Sequence, residues 1–102
     1  MALKSFQIAT NNATATPLLV VGSGASQIAA LTGTLQDPLP VAIQNIDAAI
    51  TIYIGGPTVS AANGYPLPAG ASFPLALYGS SEIPYAISAS GAPVIAVLVG
   101  RQ

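Results

Sequence analysis

The side chains in this sequence that can move a proton or attack a carbon are few enough to name. They are three carboxylates (Asp37, Asp47 and Glu82) and two cations (Lys4 and Arg101), with neither histidine nor cysteine. Lacking those two residue types, the chain has neither the commonest general acid–base nor the strongest nucleophile. Serines are numerous, but a serine attacks only when a neighbouring base takes its proton, and Lys4 is the one candidate for that base. A glycosidase-type site needs two carboxyl groups within several ångströms of each other. Asp37 and Asp47 flank one candidate strand, and the ten residues of extended chain between them span roughly 30 Å. Glu82 sits in a turn beside serines, and all three acids read as solvated turn carboxylates. Calcium needs several clustered oxygen ligands, and no acidic loop offers them. Without cysteine there is no disulfide and no thiolate metal site. We therefore expect no catalytic residue, no cofactor and no metal, and we do not expect an enzyme.

Three further patterns need weighing. Val21-Gly22-Ser23-Gly24-Ala25-Ser26-Gln27 approaches a G-x-G-x-x-G nucleotide loop. Gln27 stands where the third glycine belongs, and no strand–helix–strand frame surrounds it, so a strand followed by a turn is the better reading. Asn12-Ala13-Thr14 fits a glycosylation acceptor, but no secretory signal is expected, because Gln7 and the run 10–12 interrupt any apolar segment after Lys4. Tyr65, bracketed by a glycine and a proline, is either an interface anchor, a sugar-stacking platform or a residue that packs its own loop.

The elements that would position such groups are short. Nine prolines and ten glycines punctuate the chain, and only residues 25–35 admit a helical period. The intervals between are rich in Val, Ile, Thr, Tyr and Leu, the signature of strands bounded by turns. Seven strands are expected, at residues 4–10, 16–21, 41–45, 49–54, 72–78, 84–89 and 94–99. In the first, Lys4, Phe6, Ile8 and Thr10 share one face, and Ser5, Gln7 and Ala9 the other. Ile50, Ile52 and Ile54 line one face of the fourth, and Phe73, Leu75 and Leu77 one face of the fifth. Asp37-Pro38 and Pro40 mark a turn, and residues 58–70 a turn-rich connection with an Asn63-Gly64 tight turn. The last strand is apolar on both faces, so it is either central or pressed against a neighbouring subunit. This pattern predicts an all-β, single-domain antiparallel β-sandwich, jelly-roll-like, with about seven strands.

Composition then bears on partners. Of 102 residues, 52% are hydrophobic, nineteen of them alanine, and 5% are charged, against about 25% in an average soluble domain. A small domain ordinarily keeps its copies apart with interspersed charge. This one has almost none to use, so much of its surface is expected to lie against other subunits. The alternative is a neutral, hydroxyl-rich monomer. Two cations at opposite ends of the chain make no basic stripe, so neither nucleic acid nor an anionic membrane is an expected partner. The mean hydropathy of +0.67 would suit a membrane protein, but the most apolar window, 13–31, is broken by threonine, proline, glycine, serine and glutamine, and no spanning helix is expected. Interface anchors are expected at Phe6, Ile8, Tyr53, Tyr65, Val97 and Val99. Residues 1–16 are expected to form a first strand or subunit-exchanging arm, and 17–102 the sandwich body.

Four phrases carry a resemblance. They are Val41-Ala42-Ile43-Gln44-Asn45, Ile52-Tyr53-Ile54-Gly55-Gly56, the stretch from Val59 through Asn63-Gly64 to Gly70, and Ile83-Pro84-Tyr85-Ala86-Ile87-Ser88-Ala89. Together they resemble small virion proteins of tailed bacteriophages, in which an I-x-N strand precedes a VYIGG strand, an NG loop and a YAIS-like strand. The likeness covers roughly residues 40–100, and the first 35 residues do not share it. It implies a β-sandwich on the capsid exterior that decorates or cements the head, or else belongs to a fibre or spike. It also implies the major capsid protein and further copies of the chain, typically in a trimer, as partners. No catalytic residues come with it. The chain departs from the pattern in its low charge and in Ile83-Pro84, where the proline suggests an edge strand.

Overall fold

A computed structural model of the chain describes residues 4–21, 27–28, 34–79 and 82–100. Its elements are β1 (Lys4–Ala9), β2 (Thr16–Pro17), β3 (Val20–Val21), β4 (Gln27–Ile28), β5 (Thr34–Asn45), β6 (Ile52–Gly55), β7 (Tyr65–Leu67), β8 (Ser72–Gly79), β9 (Tyr85–Ser88) and β10 (Val94–Val99). No α-helix occurs among the described residues. Gln27 and Ile28, inside the one interval with an admissible helical period, are strand; much of the rest of that interval lies outside the described residues.

Two antiparallel four-stranded sheets form the sandwich, sheet A in the order β1-β10-β5-β8 and sheet B in the order β2-β9-β6-β7, with a short parallel β3–β4 pair beside them. Their pairing shows how the chain is wound. β6 and β7 form a hairpin, and β5 pairs with β8, β2 with β9 and β1 with β10, as though one long hairpin had been folded from its β6–β7 tip. Rolling that hairpin sets β10 beside β5 and β9 beside β6. Eight strands so wound are a jelly roll.

Alternation explains which side chains fill the space between the sheets. On β10, Ile95, Val97 and Val99 point inward; on β5, Leu39, Val41 and Ile43 do the same; on β6, Ile52 and Ile54. They meet Leu18, Leu19, Leu67, Leu77 and Ala86 in one buried cluster, with Phe6, Ile8, Phe73 and Leu75 packed at its margin. Each large aliphatic side chain buried there contributes about 1.5–3 kcal/mol.

The expected faces of β1 and β8 are the observed ones, and the pairing of β10 between β1 and β5 makes it central. Three expectations need correction. Asp37-Pro38 and Pro40 do not end a strand but lie inside twelve-residue β5, whose register shifts between Thr34 and Leu39. Pro40 is tolerated because the β5–β10 register ends at Val41↔Val99; beyond it, the Pro40 carbonyl accepts from Gly100 N (3.0 Å) and no donor is needed. Residues 65–67, expected within a loop, form edge strand β7 despite Pro66. Pro84, expected to mark an edge, stands just before β9, which is interior; its carbonyl accepts from Leu18 N (2.9 Å).

Between the sheets, one polar residue organises the crossings. Asn45, fully buried at the end of β5, donates from Nδ2 to the carbonyls of Ile50 (2.8 Å) and Leu67 (2.9 Å), while its Oδ1 accepts from Asp47 N (3.0 Å). Its backbone also binds the β7–β8 turn, donating to Ala71 O and accepting from Gly70 N, where Gly70 holds a φ of 80° that favours glycine. Asp47 then caps the next turn, its carboxylate accepting from Ala49 N (2.9 Å) and Ile50 N (2.8 Å).

Those contacts hold the Asp47 carboxyl below the usual value of 3.8, chiefly through Ala49 N–H and next through Ile50 N–H. A depressed folded-state value stabilises the fold above the unfolded value, and the stabilisation is lost as pH falls through the folded one. Melting temperature followed from neutral pH downward should therefore drop more steeply in the wild type than in Asp47→Ala, and the two curves should converge in acid. Parallel curves would contradict this role for Asp47.

Candidate interaction surface

Sheet A turns its other face outward, and the register assembles that face in rows. Gln7, Ala96, Gln44 and Ser72 lie side by side across the four strands, and next to them Ser5, Leu98, Ala42 and Pro74. None carries a charge. The small side chains of Ala42 and Ala96 leave a hollow of about 580 Å³, bordered by Gln7, Gln44, Ser72 and Leu98. A second hollow, about 300 Å³, lies between Leu98, Ala42, Pro40, Pro74 and Gly100. Leu98, 42% exposed, is thus a ridge with a depression on each side. The amide of Gln44 reaches the Gly70 carbonyl (3.4 Å), which ties one rim of the larger hollow to the β7–β8 turn.

Sheet B has a comparable outer row, with Pro66, Tyr53 and Ile87 adjacent across β7, β6 and β9, and Tyr85 next to Pro17. Tyr53, Tyr85 and Ile87 are half-buried there. Among the described residues, the charged side chains lie away from these rows. Asp47 is committed to its turn, and Glu82 accepts from Tyr78 N (2.6 Å) at the β8–β9 connection. Lys4 begins β1 on the inward-facing side. The side chains of Asp37 and Arg101 lie outside the described residues. Among the described residues, no three acidic side chains gather into a cluster that could hold a metal ion.

The residues expected to anchor an interface are placed unequally. Val97 and Val99, 1% and 0% exposed, belong to the core, so on β10 the outward role falls to Val94, Ala96 and Leu98. Phe6 and Ile8 are half-buried at the β1 edge of the core, and Tyr53 is half-buried on sheet B. Tyr65 is 56% exposed, yet its ring lies 5.1 Å from that of Phe73, which closes one side of the sandwich. Asn63, two residues before Tyr65, accepts from Ser60 N (2.8 Å) and so holds its own turn. Gly64 belongs to the same turn: a Cβ there would stand 2.6 Å from the Tyr53 Cβ and 2.9 Å from the Ser60 carbonyl. The residues missed in the sequence are the small ones, Ala42 and Ala96. For Ala96 the signal was the doubly apolar last strand, since only its inward half is needed for the core; Ala42, on β5, had no such signal.

Compared with known proteins, the chain matches no family model, no curated protein and no solved structure.

Proposed function

We propose that this chain is a structural subunit of a virion, a decoration or cement protein that lies on the outside of a tailed-phage head and bridges neighbouring capsomers. The observation that carries this reading is the outer face of sheet A, uncharged among the described residues, ridged by Leu98 and hollowed at Ala42 and Ala96. An uncharged face that mixes amides and hydroxyls with an exposed apolar ridge suits contact with protein. Burying such a face contributes roughly 25 cal/mol per Å² before the costs of association are met. The jelly roll itself is a fold that shell proteins use, an argument by analogy that adds to the surface and does not replace it. The phage assignment comes from the sequence phrases around Asn45, Gly55 and Asn63-Gly64.

Such attachment should not depend on ion pairs. Virions of the phage that encodes the chain, washed in about 1 M salt where the screening length is about 3 Å, should keep it at the copy number found in dilute buffer. Its absence from purified particles, or its release by that wash, would refute the assignment.

A further inference from the structure

Sheet A and sheet B have four edge strands between them, β1 and β8, and β2 and β7. Along an antiparallel strand, successive residues direct their N–H and C=O groups to alternate sides. On β8, Pro74 faces Ala42, whose own polar groups are directed to β10, because Pro40 two residues earlier accepts from Gly100 N. The missing N–H of Pro74 is therefore on the free edge. The same holds for Pro66 on β7. It faces Tyr53, which is directed to β9, since Thr51 accepts from Ala89 N. On β2, Pro17 faces Tyr85, while the neighbouring pairs Leu18–Pro84 and Ser88–Asn11 make the hydrogen bonds to β9, so its missing donor is again outermost. Three edges are thus interrupted by proline where an added strand would need a donor.

β1 has no proline. Thr10 N donates to Pro93 O (2.9 Å), so Thr10, Ile8 and Phe6 are directed to β10, and Ser5, Gln7 and Ala9 present their N–H and C=O groups to the open side. Among the described residues no strand pairs with that side.

We propose that β1 pairs antiparallel with β1 of a second copy, across a two-fold axis at Gln7. In that register Gln7 faces the partner's Gln7, and Ser5 faces the partner's Ala9. Every outward-directed backbone group then meets another, giving about six hydrogen bonds. On the inward row, Phe6 and Ile8, each only partly buried in one chain, come against the partner's Ile8 and Phe6. Lys4 lies opposite the partner's Thr10, so the two lysines stand roughly 20 Å apart along the strands. The same segment is complementary to itself, as a two-fold interface requires. A second copy is favoured over a foreign strand because this register satisfies backbone, apolar row and charge together. The product is a dimer with sheet A continuous across both copies, in place of the trimer the sequence resemblance implies. It uses the edge of β1 and not the outer side chains of β10 and β5, so it stands or falls apart from the proposed virion role.

Sedimentation equilibrium of the full chain tests it, with Gln7→Pro and Ala9→Pro as variants. Each proline removes an outward donor and none directed to β10, and circular dichroism should show the wild-type sheet signal for both. The wild type should weigh twice its 10.1 kDa chain mass, and each proline should weaken the dimer on the order of 100-fold. A wild type that stays at the single-chain mass would overturn the proposal. So would folded proline variants that dimerise as tightly as the wild type.

Discussion

Replacing Asn45 with leucine should destabilise the protein by roughly 3–5 kcal/mol and lower its melting temperature by roughly 15–25 °C. The side chain is fully buried and makes three hydrogen bonds that no neighbour can replace, two donated to Ile50 and Leu67 carbonyls and one accepted from Asp47 N. Leaving the buried Leu67 carbonyl and the part-buried Ile50 carbonyl and Asp47 N–H without a bond costs about 1–3 kcal/mol each, more than leucine recovers by being apolar in an already packed space. Aspartate is nearly the same size but should do no better: its carboxylate can serve Asp47 N but would face two carbonyl oxygens with no proton to offer them. Thermal melts of both variants check this. A leucine variant melting within a few degrees of the wild type would mean that the two crossings are held by other contacts.

The second large effect belongs to the surface. Leu98→Glu should leave the fold intact and abolish the proposed attachment to the shell, reducing occupancy on particles at least about 100-fold. Leu98 is 42% exposed on the free chain, so a carboxylate there stays hydrated and the melting temperature should hardly move. Once a neighbour covers the face, the same carboxylate is buried between two hollows, at a cost of several kcal/mol. Leu98→Ala, which removes area but adds no charge, should weaken attachment by less. Quantifying the chain on purified particles for both variants reads the difference; full occupancy of the glutamate variant would remove the outer face of sheet A from the interface.

Much of this architecture was legible because the strands obey period two. Phe73, Leu75 and Leu77 alternate with Ser72, Pro74 and Ala76, and the pleat leaves no choice about which set faces the core. The double apolar character of β10 left two readings, a central strand or one pressed against a neighbour; its pairing with both β1 and β5 makes it central, and its outward residues help to make the surface. Local rules failed where tertiary pairing decided. Proline is usually punctuation, yet Pro40 and Pro66 sit in strands because the ladder beside each needs no donor there, a fact set by where β10 ends and by β7 being an edge. Val97 and Val99 could not be told from Leu98 as contact residues, since all are large and aliphatic; only the register separates the two rows. The order of strands was hidden for a related reason, because the roll joins β1 to β10 across almost the whole chain.

The sequence phrases also gain a physical meaning. In Ile43-Gln44-Asn45, isoleucine fills the core, glutamine rims the hollow, and asparagine pins the two crossings. Gly55 and Gly64 both crowd the buried Val59, with a Cβ on either falling within 2.9 Å of its methyl carbon. These are demands of the fold, which is why they identify an architecture more readily than a ligand.

The chain has no cysteine of its own, so a single Ala42→Cys places a unique thiol between the two hollows of sheet A. Its rate of modification by a soluble maleimide, free and on assembled particles, reports directly whether that face is covered. Rapid labelling of the free chain and strong protection on the particle are expected, with Ala62→Cys in the exposed β6–β7 loop as the reference thiol labelled in both. Equal labelling of Cys at position 42 in the two states would contradict burial of this face against protein.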